Sequence, residues 1–266
     1  VINSQEIEKK KDIKRNSLYN LEEIKVRWKK AALENCPGVP CVTAPSFTCG
    51  TSTVSDMDGN SYNTVLIGDQ CWTRENLRVK KYNDGTPIPF DNTGLSVGTS
   101  ATWQNLTVGT HTLYEHDSTA TPSNLNNYGY LYNWYAAAGI VTNLGSPTKN
   151  ICPTGWHVPS DGEWTTLTTY LGGGPVAGGK IKSTSSLWNS PNTGANNSSG
   201  FTALPGGYRN SLGTFRHVGD DSYFWSATED GTTGNSWEYG MEYNVNRVYR
   251  YDSSKSGGNS VRCLRN

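Results

Sequence analysis

The run Cys152-Pro153-Thr154-Gly155-Trp156-His157-Val158-Pro159-Ser160-Asp161-Gly162-Glu163-Trp164, answered near the other end by Ser260-Val261-Arg262-Cys263, constrains this chain more than any other feature. Ser160 stands where a helix N-cap is expected, and Glu163 three residues on completes a capping box. Trp164, Leu167, Tyr170 and Leu171 then recur at helical spacing, and Gly172-Gly173-Gly174 marks the stop. The lead-in is Pro-bounded and extended, so a final strand returning beside it lets Cys263 pair with Cys152. Such a bridge closes a loop of roughly 110 residues, which the chain-entropy model values at about 4 to 5 kcal/mol as an upper figure.

That staple matters because ordinary apolar residues are scarce. Only 34% of the chain is apolar, yet 9 Trp and 15 Tyr supply large buried areas with few side chains. The composition therefore predicts a loop-rich fold with an aromatic core rather than a disordered chain. Formal net charge is zero, which argues against nucleic-acid binding. Six cysteines, with no CxxC pair, suggest an oxidising compartment and disulfides rather than a zinc ribbon. No signal peptide and no apolar run of bilayer length is present. For a disulfide protein, the expectation is that an export segment has been removed.

Residues 2–34 read as a helix, uninterrupted by Gly or Pro, with Leu18, Leu21, Ile24, Trp28, Ala31 and Ala32 on a narrow apolar stripe. At about 1.5 Å per residue such a helix is near 50 Å long, so it is expected to project, pack on a neighbour or continue one begun upstream. Arg15, Leu18, Leu21 and Ile24 resemble the lower half of the N-terminal helix of type IV pilins and pseudopilins, which implies contacts with other pilin subunits through residues 1–35. The domain division is then 1–35 for the amphipathic helix, 36–50 for a Cys/Pro linker, and 51–266 for the main domain.

Thr51 to Ser55 and Ser61 to Ile67 read as strands about a turn at Asp56-Met57-Asp58-Gly59-Asn60, taken as type I′, and Gly68-Asp69 turns into Cys71-Trp72. Cys49 and Cys71 fall near the ends of this meander and are paired here, leaving Cys36 with Cys41; the sequence leaves other connectivities of these four open. Residues 82–126 form a polar excursion pinned by Trp103, Leu113 and Tyr114. Tyr128 to Ala138 reads as a short aromatic helix stopped by Gly139, and Phe224–Ala227, Trp237–Asn244 and Val248–Tyr251 as strands.

Asp56-x-Asp58-Gly59-Asn60-x-Tyr62, Ile67-Gly68-x-Gln70-Cys71-Trp72, Glu75-Asn76-Leu77, Tyr130-Leu131-Tyr132-Asn133-Trp134, the Cys152–Pro159 run, Phe224-Trp225-Ser226 and Ser260–Cys263 occur in serial order. Together they resemble the Fibrobacter succinogenes major paralogous domain over about residues 49–266. The resemblance implies an α+β, C-type lectin-like fold with two helices, a small twisted antiparallel sheet and long loops on one face. That fold is shared with formylglycine-generating enzymes and the variable proteins of diversity-generating retroelements. No general activity attaches to the family. Asn259 departs from it, standing where an apolar or aromatic residue is usual.

Among candidate chemistries, a copper-thiolate or redox pair at Cys152 and Cys263 competes with a plain disulfide, and the disulfide needs no further residues. His157 reads as a hydrogen-bonded structural histidine, while His111, His116 and His217 lack a second ligand at metal spacing. Asp56, Asp58 and Asn60 miss the Ca²⁺-loop pattern because Gly59 falls at the wrong position. Calcium-dependent sugar binding lacks its usual tripeptides, so no cofactor is expected and calcium is the weakest alternative.

The stretch 219–259 is richest in Tyr, Trp and Asn interleaved with Gly and Ser, the composition of a paratope. Trp237, Tyr239, Glu242, Tyr243, Asn244, Asn246, Arg247, Tyr249, Tyr251 and Asp252 are the expected ligand-binding residues. The leading expectation is an extracellular, non-catalytic surface or pilus-associated adhesin that recognises a protein or glycan. A structural pilin-type filament subunit is the alternative, and a formylglycine-generating-type enzyme ranks last.

Overall fold

The computed structural model describes residues 46–93, 101–116, 124–140, 149–232 and 234–266. The helix expected over 2–34, the Cys36–Cys41 pairing and most of the 36–50 linker lie outside the described residues. The chain divides into two units, Val1–Phe47 and Thr48–Asn266, and the described elements all lie in the second.

Strands β1 (Val54–Ser55), β2 (Ser61–Tyr62), β3 (Thr64–Ile67) and β4 (Gln70–Thr73) follow the expected order, but the return strand expected over Ser61–Ile67 splits at Asn63: β1 and β2 form a two-stranded sheet of their own, and β3 pairs with β4 in another. The first turn is not type I′, because Gly59 alone among residues 56–60 has a positive φ, +83°. Asp56 Oδ1 instead accepts the amides of Asp58 and Asn60, each at 2.9 Å, and Gly59 N–H donates to the Asp56 carbonyl at 3.1 Å. This is a type I turn closed by a left-handed glycine, built on an Asx cap. Asp56 Oδ2 also accepts the buried Tyr62 hydroxyl at 2.6 Å, so the aspartate is structural.

After helix α1 (Ala101–Gln104) and strand β5 (His111–Thr112) come α2 (Asn124–Tyr128), β6 (Leu131–Asn133) and α3 (Trp134–Ala137). The single aromatic helix expected over Tyr128–Ala138 is therefore three elements. Asn133 ends the strand in an extended conformation and accepts Ala136 N–H at 3.0 Å, so one residue closes β6 and caps α3. Trp103, Leu113 and Tyr114 are buried, as expected of the residues that pin this excursion.

Beyond β7 (Trp156–His157) lies α4 (Asp161–Tyr170), with the Ser160–Glu163 capping box in place. Trp164, Leu167 and Leu171 are buried, but Tyr170 is 65% exposed and lies over Gly68 instead of the core. A second longer helix, α5 (Gly174–Ile181), follows directly. The rest is strand: β8 (Gly206–Arg209), β9 (Phe215–Val218), β10 (Asp221–Glu229), β11 (Asn235–Glu242), β12 (Val248–Ser254), β13 (Gly258–Asn259) and β14 (Leu264–Arg265).

The architecture is α+β, but the sheet expected to be small and antiparallel differs on both counts. One sheet is eight-stranded, with the path β12-β11-β10-β8-β13-β6-β5 and β9 beside β8. Its β8–β10 pairing is parallel, joining Gly207 to Ser222. A second sheet runs β3-β4-β14-β7. In it the terminal strand sits between the meander and the Cys152 lead-in, with Leu264 opposite both Trp72 and His157.

Disulfides join Cys49 to Cys71 and Cys152 to Cys263, each with Cα atoms 5.9 Å apart. They fit the oxidising compartment read from the cysteine count. Between the sheets and α4 lies the aromatic core, where Trp164 stacks on Tyr239 at 4.9 Å and meets Trp72, Phe201 and Phe224. Arg262 is fully buried beside Phe201, donating to the carbonyls of Thr73, Phe201 and Thr202 and to Asn76 Oδ1. One guanidinium thus ties the last segment to the meander and to the loop before β8.

Candidate functional site: a tyrosine and carboxylate face

Successive strand residues point to opposite faces, and the β10-β11-β12 hairpins use the two faces differently. One carries Phe224, Tyr239, Met241 and Val248 into the core under α4 and α5. The other carries Tyr223, Gly240 and Tyr249 in one row, and Trp225, Glu238 and Tyr251 in the next. The parallel β8–β10 pairing adds Tyr208 beside Tyr223.

Four half-buried rings result. Tyr208 and Tyr223 meet edge-on at 5.1 Å, Tyr223 and Tyr251 lie tilted to each other at 6.3 Å, and Tyr249 stacks on Tyr251 at 5.4 Å. Gly240 is the floor on which two of them converge: a Cβ there would lie 2.7 Å from Tyr223 Cε1 and 3.2 Å from Tyr251 Cε2. Any side chain would push the rings apart.

Carboxylates stand around the rings. Tyr251 donates its hydroxyl to Glu242 Oε1 at 3.3 Å. Asp221 meets His217 Nδ1 at 2.5 Å, and burial holds its carboxyl above the usual range against the pull of that histidine. Glu238 is 8% exposed, and burial pushes its pKa up to about 7 despite hydrogen bonds from Ser253 and Asn259. Asn259, the departure from the family pattern, thus donates its amide to a buried acid. Tyr208, Glu238, Ser253 and Asn259 border a cavity of about 200 Å³. Arg209 borders it too, but its guanidinium is committed to Asp91 at 2.7 Å and packs over Trp103 and Phe215.

The structure divides the expected binding residues. Glu242, Tyr249 and Tyr251 come together on this face. Tyr239 does not: it is a core residue, 3% exposed, stacked on Trp164 and bonded to Asp161 Oδ1 at 2.9 Å. Trp237 and Asp252 pair in register on the reverse face, where Arg250 covers the Trp237 ring at 3.2 Å and makes a two-point ion pair with Asp161.

The 243–247 turn is clamped rather than offered as a loop. Lys182 Nζ donates to the carbonyls of Glu242, Val245 and Thr193 at 2.8 to 3.0 Å. Tyr243 packs against the core and Asn246 is wedged beside Gly179 and Gly194, while Asn244 and Arg247 stay exposed at the tip. Tyr208, His217, Asp221, Tyr223, Glu238 and Asn259 complete the face but were not among the expected binding residues. For Tyr208 no local signal existed, since a parallel pairing brings it in.

Among the described residues, no group of three or more His, Cys, Asp or Glu converges to hold a metal ion. No helix among them is long and apolar enough to cross a membrane. His157 bridges Glu163 at 2.9 Å and Asn266 at 2.6 Å, tying the α4 cap to the C-terminal residue.

Neither the curated proteins nor the solved structures include a match to this chain. A family model does match it, the Fibrobacter succinogenes major domain, over residues 65–265. That span holds the second sheet, the stapled terminal strand and the whole tyrosine face, and on it the chain belongs to the Fibrobacter succinogenes major domain family.

Proposed function

We propose that this chain is a non-catalytic extracellular binding module of C-type lectin-like fold, which recognises a protein or glycan through the tyrosine and carboxylate face. One observation carries the reading. Tyr208, Tyr223, Tyr251 and Tyr249 pack ring to ring in one half-buried row, with Tyr223 and Tyr251 closing over Gly240, while the opposite side of the same strands already supplies the core. Rigid amphipathic rings so arranged give contact area at small entropic cost. Cys152 and Cys263 are joined and buried, a structural staple that favours binding over thiol chemistry. An adhesin on a cell surface or pilus, carried by the pilin-like segment in residues 1–35, is the setting that suits such a face.

The test is a glycan and protein array probed with the wild-type chain, Tyr249→Ala, Tyr251→Ala and Trp237→Ala. A hit lost in both tyrosine variants and kept in Trp237→Ala, on the reverse face, is the expected result. A hit that survives both tyrosine substitutions overturns the assignment.

A further inference from the structure

We infer that the face receives a positively charged side chain of a protein ligand, drawn to the tyrosine rings by the carboxylates of Asp221, Glu238 and Glu242. The inference rests on the binding role proposed above and names the chemistry it selects. Among the described residues, none of the three carboxylates has a lysine or arginine ion-pair partner. Asp221 meets His217, Glu238 meets the Asn259 amide, and Glu242 accepts from Tyr251. The neighbouring guanidinium of Arg209 is already neutralised by Asp91.

Rings and carboxylates adjoin: Tyr223 donates its hydroxyl to Asp221 Oδ2 at 3.4 Å and Tyr251 to Glu242 Oε1 at 3.3 Å. Burial first, and then the carboxylates of Asp221, Glu238 and Glu242, hold the Tyr223 hydroxyl above its ordinary range. Tyr251 is raised by burial and next by Glu242, and Tyr208 by burial and next by Asp221. An excess of negative charge beside aromatic faces is the environment that attracts a cation, through the ring quadrupole and the carboxylates together. The protein itself places a cation there: the Arg247 guanidinium stands 5.5 Å over the Tyr249 ring at the rim. At the edge of the face, a cavity of about 200 Å³ lined by Glu238 and Tyr208, though not by Asp221 or Glu242, has room for an alkylammonium whose methylenes the Tyr208 ring would clothe.

The experiment follows the tyrosine ring resonances of the full chain by NMR, titrating with an acetylated tetralysine peptide, an acetylated tetraglutamate peptide and chitotetraose. The tetralysine peptide should shift the rings of Tyr208, Tyr223 and Tyr251 saturably, and the tetraglutamate peptide should not. In Glu242→Gln, at a half-buried position that tolerates an amide, affinity for tetralysine should fall about tenfold, the loss of one charge-assisted contact. Trp237→Ala should leave it unchanged.

Shifts from chitotetraose alone would overturn the cation and leave the binding face standing. Equal tetralysine affinity in Glu242→Gln and wild type would overturn it as well, as would rings that respond to none of the three probes; the array decides separately whether the face binds anything.

Discussion

Glu238 makes the stability of this fold depend on pH in a direction opposite to that of most carboxylates. It is 8% exposed in the middle of β11, and burial lifts its pKa from 4.5 to about 7, with Asp252 adding to the rise and Ser253 and Asn259 opposing it. Since the folded value lies above the unfolded one, the folded chain holds the proton more tightly. The associated stability is complete below about pH 4.5 and is lost as pH rises through about 7. At about 1.4 kcal/mol per pH unit, that displacement corresponds to about 3 kcal/mol.

Glu238→Gln removes the titration while keeping a carbonyl oxygen to accept the Asn259 amide. Urea midpoints for both proteins should be measured at intervals from pH 4.5 to 8. Wild type should lose about 3 kcal/mol more than the variant across that window. Asp221, whose carboxyl burial also raises, contributes to both curves and cancels in the difference. Parallel curves would refute the reasoning, since they would mean that Glu238 is hydrated or charge-compensated in the fold.

Arg262→Met should cost about 3 kcal/mol or more in urea denaturation, because it leaves the Thr73, Phe201 and Thr202 carbonyls and the Asn76 side chain without their buried donor. Arg262→Lys should recover only part of this, since one ammonium cannot span the same acceptors. Gly240→Ala should cost about 1–3 kcal/mol by overpacking and shift the Tyr223 and Tyr251 ring resonances; unshifted rings would contradict the convergence on Gly240.

Where a few adjacent residues carry the determinant, the sequence is legible. The Ser160–Glu163 capping box, the strands flanking Asp56–Asn60 and the alternation through Tyr239, Met241 and their neighbours each follow from local hydrogen bonding or a period of two. The reading fails where tertiary contact overrules a local preference. Gly174–Ile181 contains Gly174, Gly178 and Gly179, a poor helix by propensity, and it follows directly on the Gly172-Gly173-Gly174 run that reads as a helix stop. It is helical because the 243–247 turn presses onto it. A Cβ on Gly178 would lie 2.4 Å from the Arg247 carbonyl oxygen, and one on Gly179 would lie 2.0 Å from Asn246 Oδ1.

The same contact explains the division of the expected binding residues. A paratope-like composition says how many tyrosines and asparagines are present, but which of them are exposed depends on what covers each face. The α4 and α5 helices cover one face of the β10-β11-β12 hairpins and claim Tyr239, while Lys182 and the α5 glycines claim the turn holding Asn246. Tyr208 enters through a parallel strand pairing that no residue near it announces. A helix that sequence propensity would not form thus decides which tyrosines remain free to meet a partner.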